Sequence, residues 1–260
     1  MKKHLIWAAA SAALLASCAK EETQTFTPAA TDLPQASITF VAEENADFTR
    51  AFFDNTTTTE AWEQSLSSLT VFCFEEGALV MRRNFTSAEL SSRRSTFALP
   101  RSTAGKSIEF YALANAAVDE NITTKTALLA LTEETPGSYN GTFANVSSKA
   151  LRSGGFLMSG TATKSIGAAG TTTEVAITLR RDVAKVAVQA SLSPAFADKY
   201  PGTVRITSVK LSRSAMQTPY FGGTPKTGAM TFTHTQTPGE TSGRFNALFY
   251  CFENAALASG

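Results

Sequence analysis

The sequence predicts an all-β protein built of two antiparallel β-sandwich domains. Three observations predict it. The 260 residues include 36 threonines and 18 phenylalanines, and both types suit pleated, half-buried surfaces. From Ser37 onward, short β-like runs alternate with turn clusters rich in Gly, Pro and Thr. Helical signals are few, and strands do not alternate with long helices as a parallel α/β sheet requires.

The first series of strand-like runs covers residues 38–41, 69–74, 95–99, 108–115, 141–146, 156–158 and 174–179. A second series covers 183–192, 204–212, 229–235 and 245–252. The break between them falls at Arg180-Arg181, which gives an N-terminal domain over 37–179 and a C-terminal domain over 180–260. Three short helices interrupt the strands. Thr86, Ser87, Ala88 and Glu89 fit a capping box, in which the first and fourth side chains cap each other's backbone N–H. Residues 126–132 carry Ala127, Leu128, Leu129 and Leu131, enough for about two helical turns. Pro194 follows Ser193 as a first helical residue follows its cap.

Apolar residues are 43% and charged residues 17% of the chain, so a core can form and disorder is not expected. The formal charge of +1 argues against a nucleic-acid partner. The only histidines are His4 and His234. No His-paired metal site follows from that, and no metal or cofactor is expected. Gly154-Gly155 and Gly160 do not have the spacing of a phosphate-binding loop. The acid pairs Glu43-Glu44 and Glu133-Glu134 read as turns, and adjacent strand residues would face opposite ways rather than form a dyad. His234 sits in an alternating Thr-Phe-Thr-His-Thr run and reads as a surface strand residue. Arg82-Arg83, Arg93-Arg94 and Arg180-Arg181 read as solvated strand ends. No catalytic residues are assigned, and an enzyme is not expected.

The N-terminus is an address. Lys2 and Lys3 precede an apolar run at 5–15 that is too short to cross a bilayer. It ends in Leu15-Ala16-Ser17-Cys18, which resembles the lipobox of bacterial lipoproteins. The resemblance implies removal of residues 1–17 and acylation (palmitate) at Cys18. Residues 18–36 then form the lipidated Cys and a polar tether. Lys20, Glu21 and Glu22 resemble the surface-export signal of Bacteroidetes-type lipoproteins. Loss of Lys2 and Lys3 takes the net charge from +1 to −1, so acyl chains rather than electrostatics would hold the protein to a membrane. The remaining Cys73 and Cys251 lie in apolar strand-like runs and read as buried free thiols.

Five segments together resemble the fimbrillins of Bacteroidales, the pilin subunits of Porphyromonas-type fimbriae. They are Thr49-Arg50-Ala51-Phe52 followed by Leu69-Thr70-Val71-Phe72; Phe110 to Asn115; Gly155-Phe156-Leu157-Met158-Ser159; Leu179 to Val186; and Phe249 to Asn254. The resemblance implies two transthyretin-like β-sandwich domains and transport to the outer membrane as a lipoprotein. It further implies cleavage by a trypsin-like, Arg-specific protease between Arg50 and Ala51. That cut would remove the first strand, about 37–42, and open a groove for a strand of another fimbrial subunit. Fimbrillins continue for further strands beyond the position equivalent to Asn254, so the second sandwich is expected to be incomplete at Gly260.

The residues supply a physical basis for these steps. Ile38 and Phe40 are two apart and would point into one core. Burying two such side chains contributes roughly 1.5–3 kcal/mol each. An emptied groove would expose unpaired backbone groups that an added strand satisfies, and head-to-tail addition gives an open filament. Other readings are an anchor or accessory subunit that keeps its lipid, and a surface lipoprotein that binds glycan. The glycan reading would use Trp62, which reads more simply as core.

Overall fold

The computed structural model describes residues 32–43, 61–134, 155–191, 193–200, 206–223, 230–235 and 244–254. The N-terminal half carries β1 (Gln35–Ala42), β2 (Leu69–Glu75), β3 (Ala78–Asn84), β4 (Arg94–Ala98), β5 (Ser107–Ala114), β6 (Thr132–Glu134), β7 (Met158–Ser165) and β8 (Thr172–Arg181). The C-terminal half carries β9 (Val183–Ser191), β10 (Ser208–Ser214), β11 (Gln217–Pro219), β12 (Met230–Thr235) and β13 (Arg244–Phe252). The helices are α1 (Ser87–Ser92), α2 (Lys125–Leu129) and α3 (Pro194–Lys199). The fold is all-β, as the composition predicts.

Seven strands run in the order β3-β2-β5-β7-β8-β1-β4. Between β7 and β8 only Met158↔Arg181 and Ser159↔Arg180 are in register. The sheet folds over at that corner into two layers, β3-β2-β5-β7 and β8-β1-β4. Alternate side chains of both layers meet in one core: Ile38 and Phe40 from β1, Val175 and Ile177 from β8, Val71 and Cys73 from β2, Ile108 and Phe110 from β5. Burial pushes the Cys73 thiol up to about 12, so it stays protonated and inert. Cys251 is also free, but only half-buried.

The uninterrupted apolar run of β2 has a physical reason. Phe72 and Phe74 face away from this core and are buried again under Leu128, Leu157 and Phe221. A strand covered on both faces shows no alternation. In the C-terminal half, β9 pairs with β13 and β10 with β12. Phe232 and Phe249 close a smaller core there with Val186, Val188 and Leu211. The short pair β6–β11 ties the two halves together.

Several expectations need correction. One pair, β1 with β8, is parallel. Of the strand expected at 156–158, residues 156 and 157 are not in a strand; β7 begins at Met158 and runs on through polar residues to Ser165. Gly155 has φ +94, and Asn115 holds the Phe156 carbonyl at 2.7 Å, which keeps this stretch irregular. The second helix begins at Lys125 on a Thr124 cap and ends early, because the chain turns into β6. Glu133 and Glu134 therefore lie in a strand, not a turn. Strand β3 was not expected. Its turn, Glu76-Gly77, has φ +49 and +86, the pattern of a two-residue hairpin. Its arginines are not solvated ends. Arg82 lies over the Phe72 ring at 5.3 Å and donates to the Val118 and Asp119 carbonyls, while Arg83 pairs with Glu89 at 2.8 Å. The expected strand at 141–146 lies outside the described residues.

Candidate functional site

The site begins with β1. It lies between β4 on one side, antiparallel from Gln35↔Ala98 to Thr39↔Arg94, and β8 on the other, parallel from Gln35↔Thr172 to Ala42↔Leu179. Ala36, Ile38 and Phe40 point inward and are essentially fully buried. The Phe40 ring meets Phe85 edge-on at 5.7 Å. On the outer face, Arg94 donates to the Ser37 hydroxyl at 2.8 Å and pairs with Glu174 at 2.9 Å, so one guanidinium bridges all three strands. Beta1 is thus an interior strand of its layer. Without it, β4 and β8 would both lose their partner edges, and the core would lose two large side chains.

The chain leaves β1 at Glu43 and returns to the described structure at Ala61, in a single 3-10 turn over Ala61–Gln64. One residue holds both ends. Arg181 donates through Nη1 to the Glu43 carbonyl at 3.0 Å and through Nε to the Glu63 carbonyl at 2.9 Å. Burial lowers the Arg181 pKa, and the Glu63 and Glu43 carboxylates oppose that shift. Glu63 is itself buried, at 2% exposure. It accepts from the Tyr250 hydroxyl and from Lys185 Nζ, the latter at 2.8 Å. Tyr250 packs on Phe156 with centroids 5.2 Å apart. Next to this cluster, Asn115 sits at φ +59. Its Oδ1 accepts from the Ser67 N–H at 2.8 Å, and its Nδ2 donates to the Ser65 and Phe156 carbonyls at 2.8 and 2.7 Å.

Four of the sequence segments singled out above therefore converge. Asn115, Phe156, Arg181 with Lys185, and Tyr250 meet around the chain that re-enters at Glu63. Sequence reasoning found the segments but missed Glu63, and it read Arg181 as a solvated strand end, whereas the side chain is half-buried and bonded to two carbonyls. The only signal was an acid ahead of an apolar strand, with Glu60 close by, which does not stand out. Of the expected site residues, Ile38 and Phe40 sit in β1 with their side chains in the core. Cys18, Lys20, Glu21, Glu22, Arg50 and Ala51 lie outside the described residues. His234 is in β12, opposite Val209. Trp62 lies in the Ala61–Gln64 turn. Among the described residues no group of His, Cys, Asp and Glu could hold a metal ion, and no helix is long and apolar enough to cross a membrane.

Comparison with known proteins agrees with this architecture. The family described as fimbrillin-A associated anchor proteins Mfa1 and Mfa2 matches residues 34–255. The chain belongs to this family, and so to the fimbrial proteins of Bacteroidales. Among solved structures it is similar to the tip fimbrial protein Mfa3 of Porphyromonas gingivalis, with a TM-score of 0.53, 15% identity, and 87% of this chain and 71% of that one covered. A cell adhesion protein of Bacteroides eggerthii gives 0.51 at 16% identity, covering 86% and 71%. A fimbrial assembly protein of Parabacteroides distasonis gives 0.50 at 12% identity, covering 84% and 76%. At these identities the likeness is one of fold. No curated protein matches the sequence.

Proposed function

We propose that this chain is a structural subunit of a cell-surface fimbrium, exported as a lipoprotein on Cys18, cut between Arg50 and Ala51, and assembled by β-strand exchange in support of adhesion. One observation carries the reading. An interior strand with Ile38 and Phe40 in the core is followed, eight residues after its end, by an Arg-Ala bond. Scission there would leave β1 held by hydrogen bonds and packing alone. Its departure would open the edges of β4 and β8, and a strand from another subunit would restore both ladders. Each subunit would fill its neighbour's groove in one direction, which builds a filament. In this reading Lys20, Glu21 and Glu22 direct surface export, and the lipid holds the precursor to the outer membrane until the cut. In this reading the folding units are 37–179 and 180–260, with the end of β8 running across the join.

The test is limited trypsin digestion of the soluble 19–260 chain, followed by intact mass and N-terminal sequencing. An early single cut at Arg50, loss of the β1 fragment and growth of oligomers on adding uncut subunit are expected. Resistance at Arg50 in a chain that stays monomeric would sink the processed-subunit reading. The description of the family as anchor proteins favours a second reading, a fimbrial anchor that keeps its lipid and β1. Stable surface retention of the uncut lipoprotein together with fimbriae would distinguish it.

A further inference from the structure

Glu63 joins the two halves of the chain through one residue. Its carboxylate accepts from Lys185 Nζ of β9 at 2.8 Å and from the Tyr250 hydroxyl of β13. Lys185 and Tyr250 are register partners across the β9–β13 pair, so the carboxylate holds both strands of that ribbon at one rung. The Glu63 carbonyl accepts from Arg181 Nε at 2.9 Å, and the same guanidinium holds the Glu43 carbonyl at 3.0 Å, just past the end of β1. Glu43 is also fixed to β8. Its N–H donates to the Leu179 carbonyl at 2.8 Å, and its carboxylate pairs with Arg180 Nε at 3.5 Å. A continuous series of polar contacts therefore runs from β1 to the C-terminal ribbon: Glu43, Arg181, Glu63, then Lys185 and Tyr250. The other tie between the halves does not pass through β1. It consists of the β6–β11 pair and of Phe221 edge-on to Tyr111 at 5.1 Å.

We propose that Arg181 and Glu63 couple the end of β1 to the seat of the β9–β13 ribbon, so that loosening either loosens the other. The guanidinium is rigid and planar, so the Glu43 and Glu63 carbonyls it holds cannot shift independently while both bonds last. Arg181 is half-buried, which makes a lost carbonyl harder to replace with water than it is at the surface. Hydrogen bonds to charged groups are strong enough that losing one shifts a local opening about tenfold. By reciprocity, whatever removes the end of β1 loosens the ribbon by the factor with which the ribbon secures β1. The coupling requires no cut at Arg50 and stands apart from strand exchange.

Hydrogen exchange read by mass spectrometry on the uncut 19–260 chain tests it. The segments followed are 39–43 of β1, 185–190 of β9 and, as the reference for global unfolding, 108–113 of β5. Tyr250→Phe and Lys185→Met each remove one bond to the Glu63 carboxylate, and neither residue belongs to the sheet that contains β1. Each is expected to speed exchange at 39–43 about tenfold relative to 108–113. Arg181→Lys keeps the charge but not the planar fork, so it should speed exchange at both 39–43 and 185–190. In that background Tyr250→Phe should add less than about twofold at 39–43. Equal acceleration of 39–43 and 108–113 in both ribbon variants would show global destabilisation alone and would overturn the coupling. So would an unchanged β1, or an effect of Tyr250→Phe on β1 that persists undiminished in Arg181→Lys.

Discussion

Replacing Phe40 with Ala tests whether β1 is a core strand. Phe40 is 2% exposed, with its ring edge-on to Phe85. Truncating a buried Phe to Ala destabilises by about 3–5 kcal/mol, more where the surroundings cannot collapse. Phe40 also lines a half-open hollow of about 250 Å³ together with Leu66, Leu90 and Arg93, so its loss would enlarge an existing space rather than leave a small one that closes. The upper half of that range is therefore expected. Against a total stability of roughly 5–15 kcal/mol this is a large fraction. With an m-value near 2 kcal/mol/M, the urea midpoint should fall by about 2 M. The control is Val41→Ala on the same strand, where Val41 is 53% exposed and faces outward; a change within about 0.5 kcal/mol is expected there. Equal shifts for the two variants, or a loss below about 1 kcal/mol at Phe40, would refute the claim that β1 holds the N-terminal core together.

Glu63→Ala should destabilise by about 3–5 kcal/mol in urea unfolding, because it strips Lys185 and Tyr250 of a buried partner; Glu63→Gln should lose less. Gly155→Ala should cost at least ~2 kcal/mol, since its φ is +94 and a Cβ would lie 2.5 Å from the Ser65 carbonyl. Gly77→Ala, at φ +86 in open space, should lose only the backbone strain, and the two thermal midpoints compare them directly. Burial works against ionisation of Glu89, yet hydrogen bonds from Ser95, Thr86 and Arg83 hold its carboxyl down at about 2. A depressed carboxylate stabilises above its ordinary value near 4.5, and that contribution is lost as pH falls from there towards 2. Wild type should therefore lose more stability across this window than Glu89→Gln, as acid titration of the melting temperature would show.

Legibility in the sequence followed locality. Strand β8 could be read because its buried residues alternate with exposed ones, and Ile38 and Phe40 for the same reason. Helix α1 was visible because its cap is contained in four residues, and the observed Thr86–Glu89 bonds are the ones the pattern implies. Strand β3 was hidden because Arg82 covers an aromatic ring while looking like a solvent residue. Strand β7 was hidden because its second edge is largely unpaired and its residues are polar. The parallel alignment of β1 on β8 and the grip of Arg181 on Glu63, 118 residues away in sequence, depend on chain topology. No local pattern encodes them.

The two-ended grip of Arg181 has a consequence for chain entropy. The ends of the segment between Glu43 and Glu63 are fixed by one planar guanidinium, whatever lies between them. For such a closed loop, doubling the length adds only about 0.6 kcal/mol. What Arg181 fixes is the span between the two anchors, so the entropic cost of joining them rises only slowly with the number of residues in between.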